Sequence, residues 1–282
     1  MDTVDYGQVA TAFESRASLR TMLVEVEEYF DVGASLSRGA VVLDVGANIG
    51  AFAIAAAKRC ESDLRLFCFE PAPPLFRALE ENLRRNRWLA PGAHRAFEIA
   101  LTAPEEAGTP CAFYYFRRFP RDSTMDLERK RAEFERFFAA QGARAGQAMS
   151  WLGGGARLIE WAVRGLPRGR VGRWMSDQVT GLERIQVARG TLTEVLSGED
   201  LARVDLLKVD VEGAEIKVLS GVGPALWSRI HQVVVESDGT EETTRALVSM
   251  LGERGLRVQR VVSSPVMLQR GLKNVLVYAS RQ

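Results

Sequence analysis

Two short acidic stretches carry most of the chemistry legible in this chain of 282 residues. The first is Asp44-Val45-Gly46-Ala47-Asn48-Ile49-Gly50, where the apolar run Val41-Val42-Leu43 gives way to a glycine turn. Glycine lets the backbone turn tightly at a strand end, and the missing side chains at Gly46 and Gly50 let a ligand lie against the main chain. Such loops also occur in α/β proteins that bind nothing at that place. Glu70 sharpens the reading, because it ends the next apolar run at the distance where an acidic side chain meets the hydroxyls of a ribose. Loop and carboxylate together imply a nucleoside-bearing cofactor.

Nicotinamide dinucleotides compete for this pattern, but they favour G-x-G-x-x-G, which seats the pyrophosphate on a helix N-terminus. The loop lacks that spacing. Asp44, two residues before the first glycine, repels a pyrophosphate and suits the cationic amino group of a methionine moiety. The charges agree with S-adenosylmethionine, which has no phosphate and carries a sulfonium. The plainer reading of Asp44 is a loop cap or helix N-cap.

The second stretch is Asp205-Leu206-Leu207-Lys208-Val209-Asp210-Val211-Glu212-Gly213-Ala214-Glu215. Lys208 and Asp210 are two apart on a strand and share a face, and a lysine within apolar sequence needs a partner. If this fourth strand lies beside the first, Asp44 and Asp210 emerge together at the carboxyl ends of the sheet, where ligands bind in open α/β folds. A bound cation relieves their repulsion. The competing role for Lys208 is an ion pair with Asp210 or Glu236. Glu212 and Glu215 are equally suited to stabilising the next helix's N-terminus.

A methyl acceptor that must lose a proton needs a general base. Asp210, Glu236 and a desolvated Lys208 are the candidate bases. His94 and His231 read as structural or surface residues. Clustered carboxylates admit Mg²⁺ in principle, with no ligand spacing to support it.

The elements that position these groups follow from periodicity. Apolar residues Leu19, Met22, Leu23, Val26 and Phe30 predict an amphipathic lead-in helix within residues 1–38. Strands are expected at Val41–Val45, Leu64–Phe69, Arg95–Ile99, Val204–Val211 and Gln232–Glu236. Helices alternate with them, including one opened by Pro73-Pro74. This alternation predicts an α/β, doubly wound parallel sheet over residues 39–101 and 182–282, closed by a hairpin of Leu256–Val262 and Asn274–Tyr278. Between strands three and four, residues 102–181 turn arginine-rich, with helical spacing over Asp126–Ala140 and Trp151–Val163, and read as a helical insertion capping the substrate. Arg164, Arg168 and Arg170, beside Trp151 and Trp161, suit an acidic carrier protein bearing the acceptor, or are simply solvated.

Lys and Arg number 37 against 36 for Asp and Glu, so no global field draws the chain to nucleic acid or anionic membrane. The first residues carry Asp2 and Asp5 without an apolar run, no stretch is long enough for a membrane span, and Cys60, Cys68 and Cys111 lack disulfide or metal spacing. A cytoplasmic protein is expected.

The sequence resembles the FkbM-type methyltransferases. The resemblance rests on Val42 to Gly50, on Phe69-Glu70-Pro71 with Leu79 and Asn82, on Leu207 to Glu215 with Leu219 and Gly221, and on Val234-Val235-Glu236. It implies a class I methyltransferase (Rossmann-like) fold and O-methylation of a hydroxyl, or a carboxyl, on a small-molecule, natural-product, sugar or carrier-bound acceptor. S-adenosylmethionine is the implied cofactor and S-adenosylhomocysteine its product. Cofactor contacts map onto Asp44, Gly46, Asn48, Gly50, Glu70 and Asp210, with adenine near Glu98 and Ile99. A noncatalytic docking protein that keeps the fold and a nicotinamide oxidoreductase are the alternative readings.

Overall fold

The computed structural model describes residues 16–117, 120–133, 181–265, 268 and 274–281, with side chains from Met22 onward. Along the chain, α1 (Arg16–Asp31), β1 (Ala40–Val45), α2 (Ala51–Arg59), β2 (Leu64–Phe69), α3 (Pro73–Arg85) and β3 (His94–Phe97) form the first half. Then come β4 (Ala100–Leu101), β5 (Cys111–Phe116), β6 (Leu182–Val187), β7 (Arg189–Gly190), α4 (Leu192–Val195) and β8 (Leu206–Val209). The rest is α5 (Glu215–Ser220), α6 (Pro224–Trp227), β9 (Gln232–Ser237), α7 (Glu241–Glu253), β10 (Arg257–Ser263) and β11 (Val275–Ser280).

Seven strands make the main sheet in the order β3-β2-β1-β8-β9-β11-β10. β3, β2, β1, β8 and β9 are parallel, and β11 is antiparallel to both β9 and β10. The expected doubly wound sheet with an antiparallel ending is therefore present, and it is the class I methyltransferase fold. Strand order reverses between β1 and β8, whose register sets Asp44 against Lys208 and Val45 against Val209. That reversal opens a crevice at the carboxyl ends of these two strands.

Both sheet faces are buried, which is why the central strands read as continuous apolar runs. Val42, Leu66, Leu206 and Val234 pack on one face with Phe52, Leu79 and Leu83 of α2 and α3. Leu43, Phe67, Leu207 and Val235 pack on the other with Val218, Trp227 and Leu247 of α5 to α7. Fully buried Ala53, Ala56 and Ala57 show how the alanine-rich α2 lies close to the sheet. Thr240 caps α7 by accepting the Thr243 N–H at 3.2 Å, and Gly255, at φ 77°, ends that turn.

Two expectations need correction. The third strand stops at Phe97, and Ala100–Leu101 leaves the main sheet to pair in parallel with Arg189–Gly190. The stretch after residue 102 opens with only a 3-10 turn at Pro104–Glu106 and continues as a strand, Cys111–Phe116, paired antiparallel with Leu182–Val187. The helix expected at Asp126–Ala140 is present at residues 127–133. The rest of that helix, Trp151–Val163 and the arginines of the insertion lie outside the described residues. Among the described residues no helix is long and apolar enough to cross a membrane.

Candidate active site

The loop after β1 is held by the strand beside it. Gly46 and Ala47 both donate their N–H groups to Phe69 O at 3.0 Å. Glu70, 4% exposed, accepts the Asn48 N–H on Oε2 at 3.0 Å and the Ala72 N–H on Oε1 at 2.9 Å. Asn82 Nδ2 donates to Ile49 O at 2.8 Å from α3, which gives this residue of the family pattern a positioning role. Burial pushes the Glu70 carboxyl up to about 7, against the two backbone donors that favour its charge.

The glycines have a different reason from the one expected. A Cβ on Gly46 would sit 1.7 Å from Asp210 O, and one on Gly50 would sit 2.9 Å from Leu79 Cδ1. Both residues have left-handed backbones, at φ 75° and 87°. Gly46 thus admits the end of β8, and Gly50 admits α3. Gly46 also lines the cavity described below, whereas Gly50 is not on its wall.

Asp44 is fully buried, and its Oδ1 lies 3.1 Å from Lys208 Nζ. Lys208 donates to Gly46 O at 2.9 Å and stands 3.7 Å from Asp210 Oδ2. Lys208 therefore separates the two aspartates that were expected to emerge side by side. Asp44, the expected partner of a methionine ammonium, is absent from the cavity wall and is held in an internal ion pair with Lys208. The expectation that burial makes Lys208 a base also fails. Burial pulls its pKa down, but Asp44 and Asp210 outweigh burial and hold it above the ordinary lysine value.

At the ends of β8 and β9, Asp210 and Glu236 meet Tyr29 of α1. The phenol oxygen lies 2.9 Å from Asp210 Oδ2 and 2.6 Å from Glu236 Oε2. Asn274 Nδ2 donates to Glu236 Oε1 at 3.0 Å. Burial, then the Asp210 charge, pushes Glu236 up to about 7. Burial and both carboxylates raise the Tyr29 phenol well above its usual value, so it is a neutral donor.

Tyr29, Asp210 and Glu236 border one cavity, whose wall also includes Gly46, Asn48, Glu70, Ile99 and Lys208. Its apolar side is made by Phe69, Leu101, Phe113 and Met125. Glu98 is exposed and off the wall, because the chain turns away after Phe97. Glu215 accepts the Gly213 N–H at 2.7 Å and serves the start of α5. Glu212 accepts from the buried Lys130 Nζ at 2.8 Å. His94 and His231 are not on the wall. Among the described residues no group of three or more His, Cys, Asp or Glu is arranged to hold a metal ion.

Sequence reasoning missed Tyr29, Asn274 and the Lys130–Glu212 pair. Tyr29 had one available signal: it precedes Phe30 on the inner face of the lead-in helix, with a hydroxyl that burial obliges to find a partner.

A parallel sheet with its crevice at the β1–β8 reversal, a glycine loop anchored on a strand-end glutamate and a carboxylate pair facing it make a site of the nucleoside-cofactor-binding, doubly wound class. Residues 44–258 match the methyltransferase FkbM domain, and the chain belongs to that methyltransferase family. It is 30% identical to methyltransferase sdnD of Sordaria araneosa, over 80% of this chain and 77% of the other. It is 32% identical to the 31-O-demethyl-FK506 methyltransferase FkbM of Streptomyces tacrolimicus, over 82% and 77%. A match at 32% to the AMB antimetabolite synthetase AmbE of Pseudomonas aeruginosa spans 82% of this chain and 10% of that much longer protein.

Proposed function

We propose that the chain transfers a methyl group from S-adenosylmethionine to the oxygen of a hydroxyl-bearing acceptor, either a small molecule or one carried on a protein, with Asp210 as general base. The observation that carries this reading is the charge of the cavity wall. Asp210 faces the cavity with Glu25, Glu70, Glu212 and Glu236 also on its wall, against Lys208, shared with the buried Asp44, and Arg121, paired with Glu25.

The residues present fit the cofactor by their chemistry. Excess carboxylate suits ammonium and sulfonium charge and repels a pyrophosphate. Each Glu70 oxygen accepts one backbone N–H and keeps a lone pair for a ribose hydroxyl. Ile99 and Leu101 offer an apolar bed for a base. When bound, the cofactor supplies the electrophilic methyl group.

The chain's own residues then do three things. The backbone of residues 46–48 and Glu70 orient the cofactor, and alignment at near-contact distance supplies much of the acceleration. Met22 and Val26 of α1, both buried on the cavity wall, keep water out on that side. Asp210, 3.7 Å from Lys208 Nζ, takes the acceptor's proton, so that the acceptor O–H breaks as an Asp210 O–H forms. The name of the Streptomyces relative places its methyl group on an oxygen, which supports the same for this chain.

Incubating the protein with ¹³C-methyl-labelled cofactor and a panel of hydroxylated acceptors, followed by mass spectrometry, tests the reading. The expected result is one labelled CH₂ added per product and an equal amount of S-adenosylhomocysteine. Oxidation of an acceptor with NAD, without S-adenosylhomocysteine, would overturn it.

A further inference from the structure

Tyr29 lies within hydrogen-bond distance of two carboxylates at once, 2.9 Å from Asp210 and 2.6 Å from Glu236, yet a phenol has one proton to donate. If both carboxylates were ionised, one would set its lone pairs against those of the phenol oxygen. One additional proton in the trio removes that conflict, because one carboxyl then donates to the phenol and the phenol donates to the other.

The surroundings decide which carboxyl holds the proton. Asp210 has Lys208 Nζ at 3.7 Å, which favours its charge. Glu236 has a neutral amide, Asn274, on its other oxygen, and it feels the Asp210 charge. The remaining charged groups do not reverse this order. Glu25, paired with Arg121, faces the trio from α1, Asp44 stands behind Lys208, and Arg129 on the far side is shared among Glu133, Glu212 and Asp238 at 3.8–4.0 Å.

Resting on the reading of Asp210 as the base, we propose that Tyr29 is a positioning residue that holds one proton between Asp210 and Glu236, keeping it on Glu236 so that Asp210 stays ionised. In each turnover the acceptor O–H breaks, an Asp210 O–H forms, and the trio returns one proton to water after product leaves. Tyr29 and Asn274 both lie outside residues 44–258 matched by the family, so elements beyond that span complete the pair.

Carbon-13 NMR titration of protein labelled at its Asp and Glu carboxyl carbons tests this directly in wild type, Tyr29→Phe and Glu236→Gln. In wild type, the carboxyl signal missing from Glu236→Gln should titrate near pH 7, with a smaller step in the Asp210 signal at the same pH. Tyr29→Phe keeps the ring edge-on to Phe52 at 5.6 Å and removes only the hydroxyl. It should move the Glu236 titration downward by up to about one pH unit, because the protonated form loses the phenol oxygen as its acceptor, and it should uncouple the Asp210 step.

In kinetics Tyr29→Phe should lower kcat below about pH 7, where the proton is then shared between Asp210 and Glu236 instead of being held on Glu236, with KM for cofactor unchanged. Glu236→Gln, whose amide donates to the phenol at every pH, should remove the step near pH 7 from the Asp210 signal. Glu236 titrating with ordinary carboxylates, or Tyr29→Phe leaving both titrations and the pH profile in place, overturns the proposal. A shared proton seen by NMR, with no methyl transfer to any acceptor, supports the bridge and overturns the function proposed above.

Discussion

Lys208 and Glu70 show how burial sets the state of single residues at this site. Lys208 neutralises two carboxylates, one of them fully buried. Removing it by Lys208→Met should therefore cost on the order of 3–5 kcal/mol of stability, the penalty for leaving a buried charge alone. Urea denaturation would check this, and a loss under about 1 kcal/mol would mean the pair is not as buried as described. Glu70 makes a pH-dependent prediction. Its pKa of about 7 in the free protein means that it is largely protonated below that pH, whereas two ribose hydroxyls donate best to the ionised form. Cofactor affinity should be full above pH 7 and should fall up to about tenfold per unit as pH drops below it. Calorimetry with S-adenosylhomocysteine should detect proton release near pH 7, and a flat affinity between pH 5.5 and 8 would remove Glu70 from the ribose contact. The carboxylates of this site were legible in sequence because each ends an apolar strand, where a charge has no structural excuse. Tyr29 was not, since its partners lie 181 and 207 residues further along the chain and its own neighbours mark it as core.

At the scale of elements, the junction of β1 with β8 is the tightest constraint. Gly46 meets the Asp210 carbonyl where any Cβ would overlap it, so Gly46→Ala should separate the two strand ends and cost about 3 kcal/mol or more, within the range for backbone clash at a positive φ. The melting temperature and the Asp210 NMR signal should both change. A variant with wild-type stability that merely fails to bind cofactor would restore the original reading of Gly46 as a ligand-facing gap. Strand and helix identities were readable because apolar period and capping are local signals, as at Pro73-Pro74 and Thr240. What a glycine makes room for is not local, since the carbonyl facing Gly46 comes from the far side of the crossover. The same distance hid β5, whose partner β6 begins only after the long intervening stretch.

For the whole molecule, one sheet shares its strands between two core faces, so cofactor binding at the strand ends should stabilise the fold as a unit. S-adenosylhomocysteine at about 100 times its dissociation constant should add about 2.7 kcal/mol, or roughly 5 °C in a thermal-shift measurement for a chain of this size. NAD at the same concentration should give no shift, and an equal shift with NAD would argue against the acidic wall as the selective element. The ladder of β5 with β6 has its own outcome for chain length. Phe116 pairs with Leu182, and the Arg117 N–H donates to Gly181 O at 3.3 Å, so the backbone departs and returns at a single rung. Closure entropy grows only with the logarithm of the loop, about 0.6 kcal/mol for each doubling. The rung therefore acts as a socket whose first occupants are fixed: residues 120–133 return to the core, where Met125 lines the cavity and Lys130 holds Glu212, so a change of length is tolerated only outside them.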